Sequence, residues 1–153
     1  MSDFRLEPSG DMAVQVTRSF CTTSERLRAL HLDAERARDW LGSPDMPLVE
    51  CRIDGREGGT AQYRWQMRDG STMALEARFE KITPDGIIHH ERFDPDWTQG
   101  EARVRTDFVP QDGGRCLLRM TVTYADPATR DAVMQSGMAA GLEAAYARLE
   151  GLL

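Results

Sequence analysis

Cysteine is scarce in this chain of 153 residues: Cys21, Cys51 and Cys116 are three in number and form no C-x-x-C pair. An odd count without paired spacing excludes a disulfide framework and a zinc knuckle, and leaves small buried hydrophobes as the natural reading. Lysine is scarcer still, with Lys81 alone beside 18 arginines. That skew reads as codon usage, so a single arginine is not by itself a functional marker. Positive charge as a whole is in deficit, 19 basic against 25 acidic residues for a net of −6. A nucleic-acid or anionic-membrane surface built on overall charge is therefore not expected. No apolar run approaches the roughly 18 residues of a spanning helix, and the N-terminal MSDFRLEPSGD lacks a signal-like stretch, so the expected address is the cytoplasm. G-x-S-x-G, H-x-x-x-H and a glycine-rich turn leading from a strand into a helix are all missing. Their absence argues against nucleophile-elbow, zinc-helix and phosphate-loop chemistry. No catalytic residue, metal or cofactor is assigned.

What is present is one domain, residues 1–153 with a core from about residue 12, long enough to bury a sizeable interior. From Met12 to Phe20 the chain alternates, placing Val14, Val16, Arg18 and Phe20 on one face of a strand. Thr22, Thr23 or Ser24 can cap a helix carrying Leu27, Leu30 and His31, and a second short helix is predicted over about Ala34–Leu41. Gly42, Pro44 and Pro47 then impose a loop. Beyond it the period changes to two, with strands predicted over about 47–54, 59–67, 72–82, 86–93, 101–109 and 115–124. Asp69-Gly70, Pro84-Asp85-Gly86 and Asp112-Gly113-Gly114 separate them as short turns, which forces antiparallel pairing. Apolar residues at three- and four-residue steps from Pro127 to Leu153 predict one long amphipathic helix. The expected fold is α+β: a curved seven-stranded antiparallel sheet wrapped around a long C-terminal helix, with two short helices after the first strand.

Five stretches occur in a recognisable order: Arg18-Ser-Phe20, Trp40-Leu-Gly42-Ser-Pro44, Asp54-Gly-Arg56-Glu-Gly58-Gly59, Arg68-Asp69-Gly70 and Ser136-Gly137-Met138. Together they resemble the SRPBCC, or START-like helix-grip, superfamily. Within it the chain is most similar to small proteins related to the C-terminal domain of the activator of the heat-shock protein 90 ATPase. Two departures stand out: Thr22-Thr23 where the family usually has Ala-Pro, and Met138 where it usually has Trp. The second exchanges a polar-tipped ring for a flexible thioether and implies a pocket of different shape. The resemblance implies a cavity between the long helix and the sheet that takes a small, largely apolar ligand in many members. In some members the cavity supports cyclase, dehydratase or hydrolase chemistry.

Strand parity and the last helix nominate the lining: Tyr63, Trp65 and Met67; Met73, Leu75 and Phe79; Phe108 and Val104; Met120, Val122 and Tyr124; then Met138 and Leu142, with Trp40 from the second short helix. Core packing alone would account for each of them, at roughly 1.5–3 kcal/mol per buried side chain. The cluster of methionines with Tyr63 and Trp65 also suits an adaptable apolar pocket with a few polar handles. Arg18, on an apolar strand face, is either ion-paired to a neighbouring carboxylate or an anchor for a ligand's acid group. His89 and His90 are adjacent on a strand and point to opposite faces, so they cannot jointly hold a metal. His90 is taken as the cavity candidate, although parity leaves open which of the two faces inward. Trp97 and the loop around Met46 are candidates for the cavity mouth. Three functions follow: binding of a small apolar or amphipathic molecule, an enzyme using the same cavity, or a co-chaperone acting on a heat-shock ATPase. The last is disfavoured because such co-chaperones carry a separate N-terminal domain for the ATPase. Expected partners are the small molecule and, in a homodimer, a second copy of the chain, with neither nucleic acid nor membrane.

Overall fold

Alternation of apolar and polar residues makes Ala13–Phe20 a strand whose Val14, Val16, Arg18 and Phe20 are buried while Gln15, Thr17 and Ser19 are partly exposed. The computed structural model describes residues 3–153. Its strands are β1 (Arg5–Ser9), β2 (Ala13–Phe20), β3 (Leu48–Ile53), β4 (Thr60–Gln66), β5 (Thr72–Thr83), β6 (Gly86–Asp94), β7 (Ala102–Gln111) and β8 (Arg115–Thr123). The helices are α1 (Ser24–His31), α2 (Ala34–Trp40), α3 (Pro127–Met134) and α4 (Met138–Glu150). All strands join one antiparallel sheet of eight in the order β1-β2-β8-β7-β6-β5-β4-β3. The chain therefore returns to lay β8 against β2, leaving β1 and β3 as the two edges, and the predicted α+β order holds.

Two details differ from the sequence expectation. The sheet has eight strands and not seven, because Arg5–Ser9 pairs with the outer edge of β2. Pro8 and a mostly exposed pattern hide this strand from a periodicity reading, but both suit an edge, where one row of backbone groups faces water. The single C-terminal helix is two helices. Asp126 caps α3 by accepting from the Thr129 amide at 2.7 Å, and the chain then turns through Gly137, whose φ of 84° is left-handed, into α4.

The N-cap of α1 is Thr23, whose hydroxyl accepts from the Arg26 amide, and Asp33 caps α2 in the same way. The Gly58-Gly59 corner is forced: a Cβ on Gly59 would stand 2.3 Å from the Asp54 carbonyl oxygen. The core centres on Phe20, Leu27, Phe108, Leu118, Tyr146 and Leu149, between α1, the C-terminal half of α4 and the concave face of the sheet. α4 packs closely on α2 and α3, and its N-terminal half stays largely exposed, so the helix stands away from the middle of the sheet.

Candidate functional site

The space left under α4 is divided into two chambers sharing a waist. The outer one is about 450 Å³, opens beside the exposed Trp97 and the Ser43–Met46 loop, and is walled by β4 to β8 and the face of α4 bearing Met138, Gly141, Leu142 and Ala145. The inner one is about 150 Å³ and reaches His31, Trp40, Tyr63 and Tyr146. Leu41, Trp65, Leu75, His89, Glu91, Met120 and Leu142 border both. An apolar concavity with few polar groups is the usual character of a small-molecule site.

Strand parity explains the lining. On β6, Ile87, His89, Glu91 and Phe93 face the chambers, whereas His90 and Arg92 face a groove on the opposite side of the sheet. The inward histidine is thus His89, correcting the choice of His90. His90 binds Glu80 at 2.7 Å and Glu101 at 3.3 Å. On β4 and β5 the inward sets are Tyr63 and Trp65, and Met73, Leu75, Ala77 and Phe79; on β8 they are Met120 and Val122.

Trp40, Tyr63, Trp65, Met73, Leu75, Phe79, Val104, Met120, Val122, Tyr124, Met138 and Leu142 are therefore brought together around one space. Besides His90, three nominated residues lie elsewhere. Met67 sits at the end of the β4–β5 turn, where its backbone accepts from Gly70 and donates to Ser71. Phe108 is 1% exposed and packs its ring on His31 at 5.1 Å, filling the core below the inner chamber. Arg18 is buried outside both chambers, 3.8 Å from Glu150 and 4.4 Å over the Phe20 ring. The nearby carboxylate makes Arg18 a structural ion-pair partner, not a wall of the cavity.

Among the polar groups in the walls, Tyr124 was nominated by strand parity and His89 was left open beside His90, whereas Glu91, His31 and Tyr146 were not nominated from sequence. His89 Nε2 and Glu91 Oε1 are 2.8 Å apart at the waist, both largely buried. Their i,i+2 spacing on β6 was the available signal, but it required knowing which face is concave. His31 Nδ1 lies 2.8 Å from the Leu27 carbonyl oxygen, which can only accept, so Nδ1 carries the proton. Burial pulls the His31 pKa down to about 4, leaving the ring neutral at pH 7 with Nε2 as an acceptor. Among the described residues the phenols of Tyr124 and Tyr146 reach only thioethers, Met138 Sδ and Met120 Sδ, each at 3.9 Å. Burial raises the pKa of both and of Tyr63, so all three are neutral hydroxyls. Trp65 Nε1 donates to the Leu41 carbonyl at 3.0 Å, and Arg148 Nε to the Trp40 carbonyl at 3.0 Å, which ties β4 and α4 to the end of α2. Among the described residues no cluster of three or more histidine, cysteine or carboxylate groups could hold a metal. No helix among them is long and apolar enough to cross a membrane.

A helix held off a curved antiparallel sheet around an apolar chamber defines a helix-grip, START-like α+β domain. Comparison with known proteins sharpens the class. The chain belongs to the family of Activator of Hsp90 ATPase homolog 1-like proteins, whose model matches residues 22–153. A crystal structure of a Rhodobacter sphaeroides protein is 32% identical, with TM-score 0.90, over 97% of this chain and 96% of that one. A Mycobacterium smegmatis protein shares the fold at 21% identity and TM-score 0.86, over 99% of this chain and 95% of its own. A Plasmodium falciparum protein described as an HSP90 activator aligns at 22% identity and TM-score 0.57, over 74% of this chain and 73% of its own. No curated protein sequence matches the chain.

Proposed function

We propose that this protein binds a small, largely apolar molecule in the two chambers between α4 and the sheet. The supporting observation is the outer space of about 450 Å³, walled by Trp65, Met73, Leu75, Met120, Val122 and Leu142 and open at Trp97. A chain that needed only a core would gain by closing α4 onto these side chains, since burial is worth roughly 25 cal/mol per Å². The hydroxyls of Tyr63, Tyr124 and Tyr146 and the His89–Glu91 pair supply hydrogen bonds that would orient a mostly apolar guest. Native mass spectrometry and a thermal-shift screen of fatty acids, polycyclic aromatics and hormone-like compounds test the reading. A ligand at 100 times its Kd adds about 2.7 kcal/mol of stability. A screen in which no compound shifts melting and no mass adduct survives would count against it.

Two observations favour other uses of the same fold. A carboxylate-paired imidazole at the waist is the arrangement a general acid–base needs, so turnover of a bound guest that His89→Gln abolishes would make the protein an enzyme. The Plasmodium relative favours ATPase stimulation, which a heat-shock ATPase assay with the purified chain decides directly.

A further inference from the structure

Charge inside the chambers is confined to a few side chains, and they are not equivalent. Glu91 is hydrogen-bonded on the spot, with Oε1 2.8 Å from His89 Nε2. His31 is neutral and hydrogen-bonded to its own helix. The remaining charge is Arg148, the single arginine or lysine in the walls of either chamber. It stands on the last turn of α4, half-buried in the wall of the outer chamber.

Of the partly buried arginines without a carboxylate within 4.0 Å among the described residues, Arg28 and Arg119 border neither chamber, and Arg148 borders the outer one. Arg18 has Glu150 nearby, and Arg130 binds Asp131 as well as the Gly10 and Ala13 carbonyls. Arg148 uses only Nε, donating 3.0 Å to the Trp40 carbonyl, and among the described residues no carboxylate lies within 4.0 Å of its guanidinium. The Nε bond fixes the plane of the group while Nη1 and Nη2 keep their donors. A guanidinium so oriented is suited to a planar oxyanion, which it can hold through two parallel N–H donors.

We infer that the chamber is selective for an amphipathic anion, with a carboxylate held by Arg148 in the outer chamber and an apolar body passing Trp65, Met120 and Leu142 toward the waist. This rests on the binding function proposed above. The negative charge of Glu91 keeps the head group in the outer chamber, since a carboxylate at the waist would meet Glu91 at close range. A cationic guest would instead have to displace His89 from Glu91 and would meet Arg148 in the outer chamber.

Isothermal titration of the whole chain at pH 7.5 with three probes of one tail length, dodecanoate, dodecan-1-ol and dodecylamine, each below its micellar concentration, separates these cases. Dodecanoate should bind at least about tenfold more tightly than the alcohol, and the amine most weakly, as a charge-assisted hydrogen bond at a partly buried site requires. Arg148→Gln should bring the acid to the affinity of the alcohol, and Arg148→Lys should keep part of the preference. The readout is the ratio of acid to alcohol affinity within each variant, and an unchanged near-UV circular dichroism spectrum reports that the fold around the chamber is intact. Equal binding of acid and alcohol by the unaltered protein, or tighter binding of the amine, overturns the anion site and leaves the chamber as a binding site. Binding of none of the three overturns both.

Discussion

His31 shows how one side chain couples the chamber to stability. Its ring lies between Trp40 and Phe108, 5.1 Å from each, and burial lowers its pKa from 6.5 to about 4. As pH falls through 6.5 the unfolded chain takes up a proton here that the folded chain refuses until about pH 4. The contribution is therefore complete above pH 6.5 and is lost between 6.5 and 4. The full difference would be roughly 3 kcal/mol at 1.36 kcal/mol per unit, and the side of the ring facing the chamber reduces it to on the order of 2 kcal/mol. Urea unfolding at pH 7 and pH 4.5 should show this loss in the unaltered protein and a clearly smaller one in His31→Phe. Equal losses in the two proteins would refute the assignment. The two arginines near the end of α4 carry a related lesson. Strand parity in the sequence marked Arg18 as buried, correctly, but burial with Glu150 at 3.8 Å makes it structural. Arg148 looked like one of many surface arginines because its value lies in what it does not pair with, which no spacing rule reveals.

At the scale of elements, the alternating strands and their turns were legible because period two and turn chemistry are local properties. Ala13–Phe20 and the paired run from β3 to β8 follow the predicted ranges closely. Two features were hidden for opposite reasons. β1 has a proline and little apolar content, so only its pairing with β2 makes it a strand. The break between α3 and α4 lies inside an apolar pattern that stays in helical register across it, and Ser136-Gly137 is tolerated by a helix as well as by a bend. Gly137 takes φ 84° with nothing near its missing Cβ, so the cost of a side chain there is backbone strain alone. Gly137→Ala should destabilise by about 1 kcal/mol, as the left-handed penalty of roughly 1–2 kcal/mol is partly offset by a stiffer unfolded chain. Gly137→Asn should cost less, since asparagine tolerates that region and caps a helix start. Thermal melts of both variants decide it: similar losses for Ala and Asn would mean the bend is not set by Gly137.

For the molecule as a whole, the sequence announced a sheet and a covering helix but not the distance between them. That distance follows from where α4 is fastened: its C-terminal half to α2 and the core through Tyr146, Leu149 and the Arg148–Trp40 bond, its start to α3. Inward parity on β6, hence His89 and Glu91 over His90, depends on the same global curvature and could not be read from adjacent residues. The helix–sheet gap makes stability and binding compete. Gly141 lies on α4 facing the outer chamber, its absent Cβ would meet no atom within 4 Å, and its φ is not left-handed. Gly141→Leu should therefore raise ligand-free stability, by up to about 1 kcal/mol from helix propensity alone and further from apolar burial against the chamber wall. The same leucine occupies space a guest would need. Its thermal midpoint should rise by a few degrees while the shift produced by a saturating apolar ligand falls toward zero. Gly141→Ala, too small to block the space, should gain stability and keep most of the ligand response. A leucine variant that is stabilised and still responds fully to ligand would place the guest outside the chamber.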